Sequence, residues 1–230
     1  MAREGPDLYG VVRGVLRPAV WMLWKPTVLG MENVPTSGPA LLAANHISVL
    51  DSVFMIPTLT RRITYIGKAE YLDSWKTRVF FRGLGAIPVD RSGGNAAVAA
   101  LDAAAKVLEQ GGLFGIFPEG TRTRDGFLHR GKTGVARLAM RTGAPVVPVG
   151  LRGLDAIQPP DAKFPRPFRR WEVRVGEPIH PDRYGPDPTD NQALRALTDE
   201  IMYEIRSLSG QTYVNTYSER GSKTDAKLAA

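Results

Sequence analysis

The sequence contains no cysteine, which excludes disulfide staples and thiolate metal sites and fits a reducing cytosol. Histidine is scarce: His46, His129 and His180 are the only three, and no two have the close spacing of an imidazole metal pair. No apolar run reaches the length of a membrane span, because Arg13, Arg17, Pro18 and Lys25 interrupt the apolar residues between Leu8 and Leu29. For the same reason no cleavable signal is expected. Acidic residues are absent between Leu8 and Gly30, and over the whole chain 30 Lys and Arg outnumber 23 Asp and Glu, for a formal charge of +7. That balance favours anionic partners: phosphates, nucleic acid or anionic lipid.

What is present suits one fairly large domain: 230 residues, 43% hydrophobic and 23% charged. Leu8, Val11, Val12, Val15 and Leu16 recur at helical spacing, followed by Val20, Trp21, Leu23 and Trp24. With their cations and tryptophans, residues 1–30 read as an amphipathic interfacial segment on an anionic membrane surface, two short helices broken at Pro18. An ordinary amphipathic helix packed on the domain gives the same pattern.

From there, short apolar strands alternate with helices. Strands are expected at Ala40 to Ala44, Ile63 to Ile66, Ala86 to Val89, Leu113 to Phe117 and Pro145 to Val149, with another at Arg170 to Val175. Helices are expected over about ten residues after His46, at Glu70 to Phe81, Asn95 to Gln110, Lys132 to Thr142 and Ala193 to Leu208. The pattern implies an α/β fold, a single domain over residues 31–209 with a mainly parallel central sheet flanked by helices. Residues 210–230 read as a polar, frayed tail.

Ligands on such sheets bind beyond the strand carboxyl ends, and His46, Lys68, Arg91 and Glu119 all fall at or just after one. In Asn45-His46-Ile47-Ser48-Val49-Leu50-Asp51, the histidine and the carboxylate would lie ~140° apart on one continuous helix, so they meet only if the chain turns between them. Ser48, three residues before Asp51 and ahead of an apolar run, is the expected cap of that turn. Asp51 would then accept the Nδ1 proton of His46 and leave Nε2 as a general base.

Four segments occur in order: Asn45-His46-x4-Asp51, Gly85-Ala-Ile-Pro-Val-Asp90-Arg91, Phe117-Pro118-Glu119-Gly120-Thr121-Arg122 and Val147-Pro148-Val149. Together they resemble the ordered blocks of the glycerolipid acyltransferases, most closely the bacterial 1-acyl-glycerol-3-phosphate acyltransferases, over roughly residues 30 to 180. The resemblance implies transfer of a fatty acyl chain from acyl-CoA or acyl-carrier protein, as cosubstrate, to the free hydroxyl of a lysophosphatidate. It implies no cofactor, no covalent acyl-enzyme and no nucleic-acid partner, and a peripheral or monotopic place on the cytoplasmic face of the cell membrane. It assigns catalysis to His46 and Asp51, the acceptor phosphate to Lys68, Arg91 and Arg122, a glycerol hydrogen bond to Glu119, and close backbone approach to Gly120. Glycerol 3-phosphate or another lysophospholipid as acceptor, and a non-catalytic anionic-lipid-binding module, are the alternatives. Pro88 departs from the family pattern, which has an aromatic or aliphatic residue there; a proline suits an edge strand or a strand end.

Two other patterns compete. Gly126-Phe-Leu-His-Arg-Gly131-Lys132-Thr133 satisfies the phosphate-loop spacing, but eight residues separate it from the preceding strand, and Phe127 and Leu128 suit a cradle of amides poorly. Lys132 is instead expected at the active-site rim or the membrane. Arg166, Arg169, Arg170 and Arg174 cluster around Phe168 and Trp171, a composition that fits nucleic acid or anionic lipid.

Overall fold

A computed structural model describes residues 9–68, 86–89, 96–159, 162 and 164–218. The expected helix at Glu70 to Phe81, the cap at Asn95 and the site candidate Arg91 lie outside these residues.

A seven-stranded sheet runs in the order β1 (Thr27–Leu29), β8 (Glu172–Val175), β7 (Val146–Arg152), β2 (Ala40–Ala44), β5 (Leu113–Ile116), β3 (Ile63–Lys68), β4 (Ala86–Val89). The five strands from β7 to β4 are mutually parallel; β8 pairs antiparallel with β7 and carries β1 parallel to itself. The mainly parallel sheet is as the alternation predicts. Pro88 sits on β4, the outermost described strand, where a missing N–H costs least.

β2 explains why the sheet needs helices on both faces. All five of its residues are buried; Ala40, Leu42 and Ala44 face one core and Leu41 and Ala43 the other. The first core is covered by α1 (Tyr9–Trp24), α2 (Asp51–Met55) and α5 (Leu154–Ile157), the second by α3 (Ala96–Glu109), α4 (Gly134–Thr142) and α6 (Asn191–Ser209). Each fully buried large side chain, such as Phe114 or Leu41, contributes about 1.5–3 kcal/mol. On α6, Ala193, Leu194, Leu197, Ile201, Met202 and Ile205 make the buried stripe, and Asp190 caps the start by accepting from the amides of Gln192 and Ala193.

Several boundaries differ from expectation. α1 is one helix through Pro18, not two. Proline removes a bond to the carbonyl of Gly14 and crowds it, but both residues lie on the solvent side, and packing of Tyr9, Val12, Leu16, Val20 and Trp24 against the first core outweighs a cost of about 3 kcal/mol. Thr27–Leu29, near the end of the amino-terminal segment, joins the sheet beside β8. Ser48 is not the cap of α2. The helix begins at Asp51, with Leu50 at the cap position, while the Ser48 hydroxyl accepts from the Leu50 amide in a tight turn before it. Leu128–His129 forms β6, which pairs with β9 (Tyr213–Val214), so the middle of the phosphate-loop pattern is a strand. The same pairing ties the start of the supposed tail into the fold.

Candidate active site

The site assembles at the carboxyl edge of the parallel strands. His46 follows β2 by two residues, Glu119 follows β5 by three, and Lys68 is the last residue of β3. β2, β5 and β3 are adjacent, so the topology gathers what the sequence disperses.

Asp51 is fully buried, and its Oδ2 accepts three hydrogen bonds: from Nδ1 of His46 at 2.7 Å and from the amides of Ile47 and Ser48 at 2.8 and 3.0 Å. The carboxylate therefore folds the turn and orients the imidazole with one oxygen, while Oδ1 has no hydrogen-bond partner among the described residues. The His46 side chain keeps 21% of its surface, and Nε2 makes no hydrogen bond among the described residues. Its ring stacks on Phe117 with centroids 4.0 Å apart, and Phe117 stacks in turn on Tyr65 at 5.9 Å. Room for Tyr65 is made by Gly115, where a Cβ would fall 2.0 Å from a ring atom. Burial pushes the Tyr65 phenol well above its ordinary range, so this side of the site carries a neutral hydroxyl.

The main chain of His46 is laced to the Phe117 to Thr123 segment. Its amide donates to Oε1 of Glu119 at 3.0 Å, and its carbonyl accepts from the Thr123 amide at 2.9 Å. The second oxygen of Glu119 accepts from the His129 amide at 3.0 Å. Glu119, expected as a glycerol contact, is fully buried, and each of its oxygens accepts from a backbone amide. Burial pushes this carboxyl up to about 7 despite the two amides, which pull it down.

Gly120 has φ +76°, in the left-handed region, and a Cβ there would lie 3.1–3.2 Å from Nζ, Cδ and Cε of Lys132. Lys132 therefore lies over the Glu119-Gly120 turn, its own amide donating to the Pro118 carbonyl at 2.8 Å. Arg122 is partly buried and makes no hydrogen bond or ion pair among the described residues, the condition of a guanidinium ready for an anion. The Lys132 ammonium shares that condition; the phosphate-loop pattern drew attention to it for the wrong reason.

Two further residues hold the site. Asn45 is buried, with Oδ1 accepting from the Leu151 amide at 2.7 Å and Nδ2 donating to the Leu151 carbonyl at 2.9 Å. Nδ2 also donates to Oε1 of Gln211 at 2.8 Å, and Nε2 of Gln211 donates to the Gly126 carbonyl at 3.0 Å. Sequence reasoning missed Gln211, since nothing in a polar stretch after a helix marks one glutamine. A cleft of about 560 Å³, lined among others by Ile47, Thr123, Arg124, Arg152 and Gln211, opens on the β7 side of this loop; neither His46 nor Arg122 lines it.

No helix of the described residues is long and apolar enough to cross a membrane, and no described cluster of His, Asp or Glu could hold a metal ion.

The chain is similar to known proteins in sequence and in fold. The chain is 32% identical over 142 residues to the 1-acyl-sn-glycerol-3-phosphate acyltransferase of Borreliella burgdorferi, covering 61% of this chain and 57% of that one. It is 27% identical over 186 residues to the 1-acyl-sn-glycerol-3-phosphate acyltransferase of Bacillus subtilis, covering 80% and 88%. Several curated relatives are longer, and the chain spans only about half their length. The crystal structure of the 1-acyl-sn-glycerophosphate acyltransferase PlsC from Thermotoga maritima superposes with a TM-score of 0.67 at 25% identity, covering 87% of this chain and 79% of that one. The family model described as Acyltransferase matches residues 25–152, more than half of the chain and the whole of the His46, Glu119 and Arg122 framework, and the protein belongs to that family.

Proposed function

We propose that the protein transfers a fatty acyl chain from acyl-CoA or acyl-carrier protein to the free hydroxyl of 1-acyl-glycerol-3-phosphate, giving phosphatidic acid, at an anionic membrane surface on the cytoplasmic side. The observation that carries this reading is the His46–Asp51 pair: a buried carboxylate 2.7 Å from Nδ1, with Nε2 left unbonded, in a chain whose relatives bear that activity in their names.

The chemistry runs as one displacement through a tetrahedral intermediate. Nε2 of His46 takes the proton of the acceptor hydroxyl as its oxygen attacks the thioester carbonyl. Asp51 stabilises the imidazolium that forms, through the Nδ1 hydrogen bond. Collapse of the intermediate breaks the carbon–sulfur bond, and the imidazolium proton goes to the leaving thiolate. The products are an ester and a free thiol, with His46 regenerated and no acyl group passed to the protein. Arg122 and Lys132, together with Lys68 and Arg91, supply cations for the acceptor phosphate.

The test is His46→Ala in purified protein with matched panels of acceptors and thioester donors, the products read by mass spectrometry. Transfer should fall to background while the melting temperature holds. Retention of most activity on every acceptor would overturn the mechanism, and a preference for glycerol 3-phosphate would move the acceptor assignment.

A further inference from the structure

We propose that residues 164–170 form a second membrane contact, fastened to the carboxyl end of α1 so that helix and loop present one surface to an anionic bilayer. The proposal extends the membrane contact suggested for α1, and the experiment below separates the two.

The loop reads Phe164-Pro-Arg-Pro-Phe-Arg-Arg170, with no acidic residue. Its sequence pattern treats Phe168 and Trp171 alike, but the structure sorts them oppositely. Trp171 is 1% exposed in the first core, whereas Phe168 is 78% exposed and Phe164 73%. Phe168 also holds φ +59°, a left-handed conformation rarely adopted by a bulky residue. A large apolar ring turned to solvent from a strained main chain is a feature that a soluble surface gains nothing from, and it points to a partner. The arginines divide in the same way. Arg174 is bound to Glu172 on β8 at 2.8 Å, while Arg166, Arg169 and Arg170 are exposed and their guanidinium groups make no hydrogen bond or ion pair among the described residues.

The Arg166 amide ties the loop to the Ile157 carbonyl at 2.8 Å, and two further hydrogen bonds fasten it to α1. The Phe168 amide donates to the Leu23 carbonyl at 2.8 Å, satisfying an orphan carbonyl of the last turn of α1, and Nε1 of Trp24 donates to the Arg166 carbonyl at 2.8 Å. The Trp24 ring itself is anchored inward on Phe54 at 5.1 Å. Beside this junction the outer face of α1 exposes Trp21 and Met22, with Val15 and Val11 continuing the stripe at 66% and 64% exposure. Arg17 and Lys25 are exposed on the same helix and just beyond it.

The composition chooses a bilayer over nucleic acid. Aliphatic Val11, Val15 and Met22 offer nothing to a base or a phosphate, but they partition into the acyl boundary, while tryptophan, phenylalanine and cations suit the headgroup level. A helix lying alone on an interface can roll about its axis. The loop, joined at one end, gives the surface width and so a fixed orientation.

The experiment is co-sedimentation of the full chain with vesicles of pure phosphatidylcholine or an equimolar mixture with phosphatidylglycerol. The wild type should bind the anionic vesicles far better. Phe168→Ser should lower that partition roughly tenfold, and the triple change Arg166→Gln, Arg169→Gln, Arg170→Gln on the order of a hundredfold at low salt. Trp24→Phe, which removes the Nε1 donor and keeps an aromatic ring beside Phe54, should weaken binding by a smaller factor through uncoupling of the loop. Phe168→Ser and the triple arginine variant should retain the wild-type melting temperature, and all three the wild-type rate on a short-chain, water-soluble acceptor. Val11→Ser with Val15→Ser serves as the α1 comparison. If that pair loses binding while both loop variants bind as the wild type, the loop proposal is wrong and the α1 contact stands. Failure of the wild type to bind either vesicle, or tight lipid-independent binding of an oligonucleotide lost in the arginine variant, would overturn it as well.

Discussion

The amide of His46 and the carboxylate of Glu119 are joined at 3.0 Å, and through its other oxygen the same carboxylate holds the amide of His129 at the start of the turn into α4. One buried acid thus fixes the height of the base relative to the Glu119-Gly120 turn. Its chemistry has a measurable pH signature. Burial pushes Glu119 from an ordinary 4.5 up to about 7, so the folded chain takes up this proton more readily than the unfolded one. The resulting stabilisation is fully present below about 4.5 and lost as pH rises to about 7, on the order of 3 kcal/mol in all. Glu119→Gln should flatten the wild-type difference in denaturant midpoint between pH 5 and pH 8. It should also slow transfer, since an amide offers one acceptor where two amide donors wait. An unchanged slope would show that another group carries it.

Asp51→Asn separates orientation from charge. The asparagine oxygen can take the place of Oδ2, and its NH2 the place of Oδ1, which has no partner to lose. The melting temperature should therefore move little while kcat falls by about 10³–10⁴, because the imidazolium loses its counter-charge. Asp51→Ala should cost about 3 kcal/mol in addition, leaving the amides of Ile47 and Ser48 unpaired. A near-normal kcat in the asparagine variant would reduce Asp51 to a purely structural part.

Gly120 and Lys132 should behave as a coupled pair. Gly120→Ala imposes about 1–2 kcal/mol of left-handed strain and drives a methyl to within 3.1 Å of the Lys132 ammonium. The lysine must move, so the acceptor KM should rise more than kcat falls. Lys132→Ala should raise KM as well, and the double variant should do little more than either single one. Strictly additive effects on kcat/KM would deny the coupling.

Gln211 tests whether the segment after α6 belongs to the site. Gln211→Ala removes its bonds to Asn45 and Gly126 and should cost about 1–2 kcal/mol by chemical denaturation. Ending the chain at Gly210 should cost more, because β9 then leaves β6 without a partner. Wild-type stability in the shortened chain would restore the reading of a dispensable tail.

Much of this was legible where one force dominates. β2, β5 and β7 are buried on both faces, so their unbroken apolar runs announce a parallel sheet, and their carboxyl ends announce the site. The arithmetic of a helix shows that His46 and Asp51 can meet only across a turn, and they meet across one. What escaped depends on tertiary context. A proline reads as a break in α1, yet the helix continues because its packed face outweighs one lost bond. Ser48 reads as a cap, but its hydroxyl accepts from the Leu50 amide in a tight turn that the Asp51 carboxylate holds by the amides of Ile47 and Ser48, and the helix starts only at Asp51. Glu119 reads as a polar contact for a ligand, since no sequence pattern records that two distant backbone amides converge on it.

Asn45 closes the matter from the other side of the loop. Its side-chain amide meets both the N–H and the C=O of Leu151, the two groups through which a longer β2 would have bonded to β7. It is a peptide group grafted onto the end of the strand. The main chain is thereby released from the ladder one residue early and can swing the imidazole off the sheet, while β7 loses nothing. Hydrolysis of that one amide to a carboxylate would set like against like, with an oxygen facing the Leu151 carbonyl. Chemical ageing at a single atom would then unfasten the catalytic turn without touching either catalytic residue.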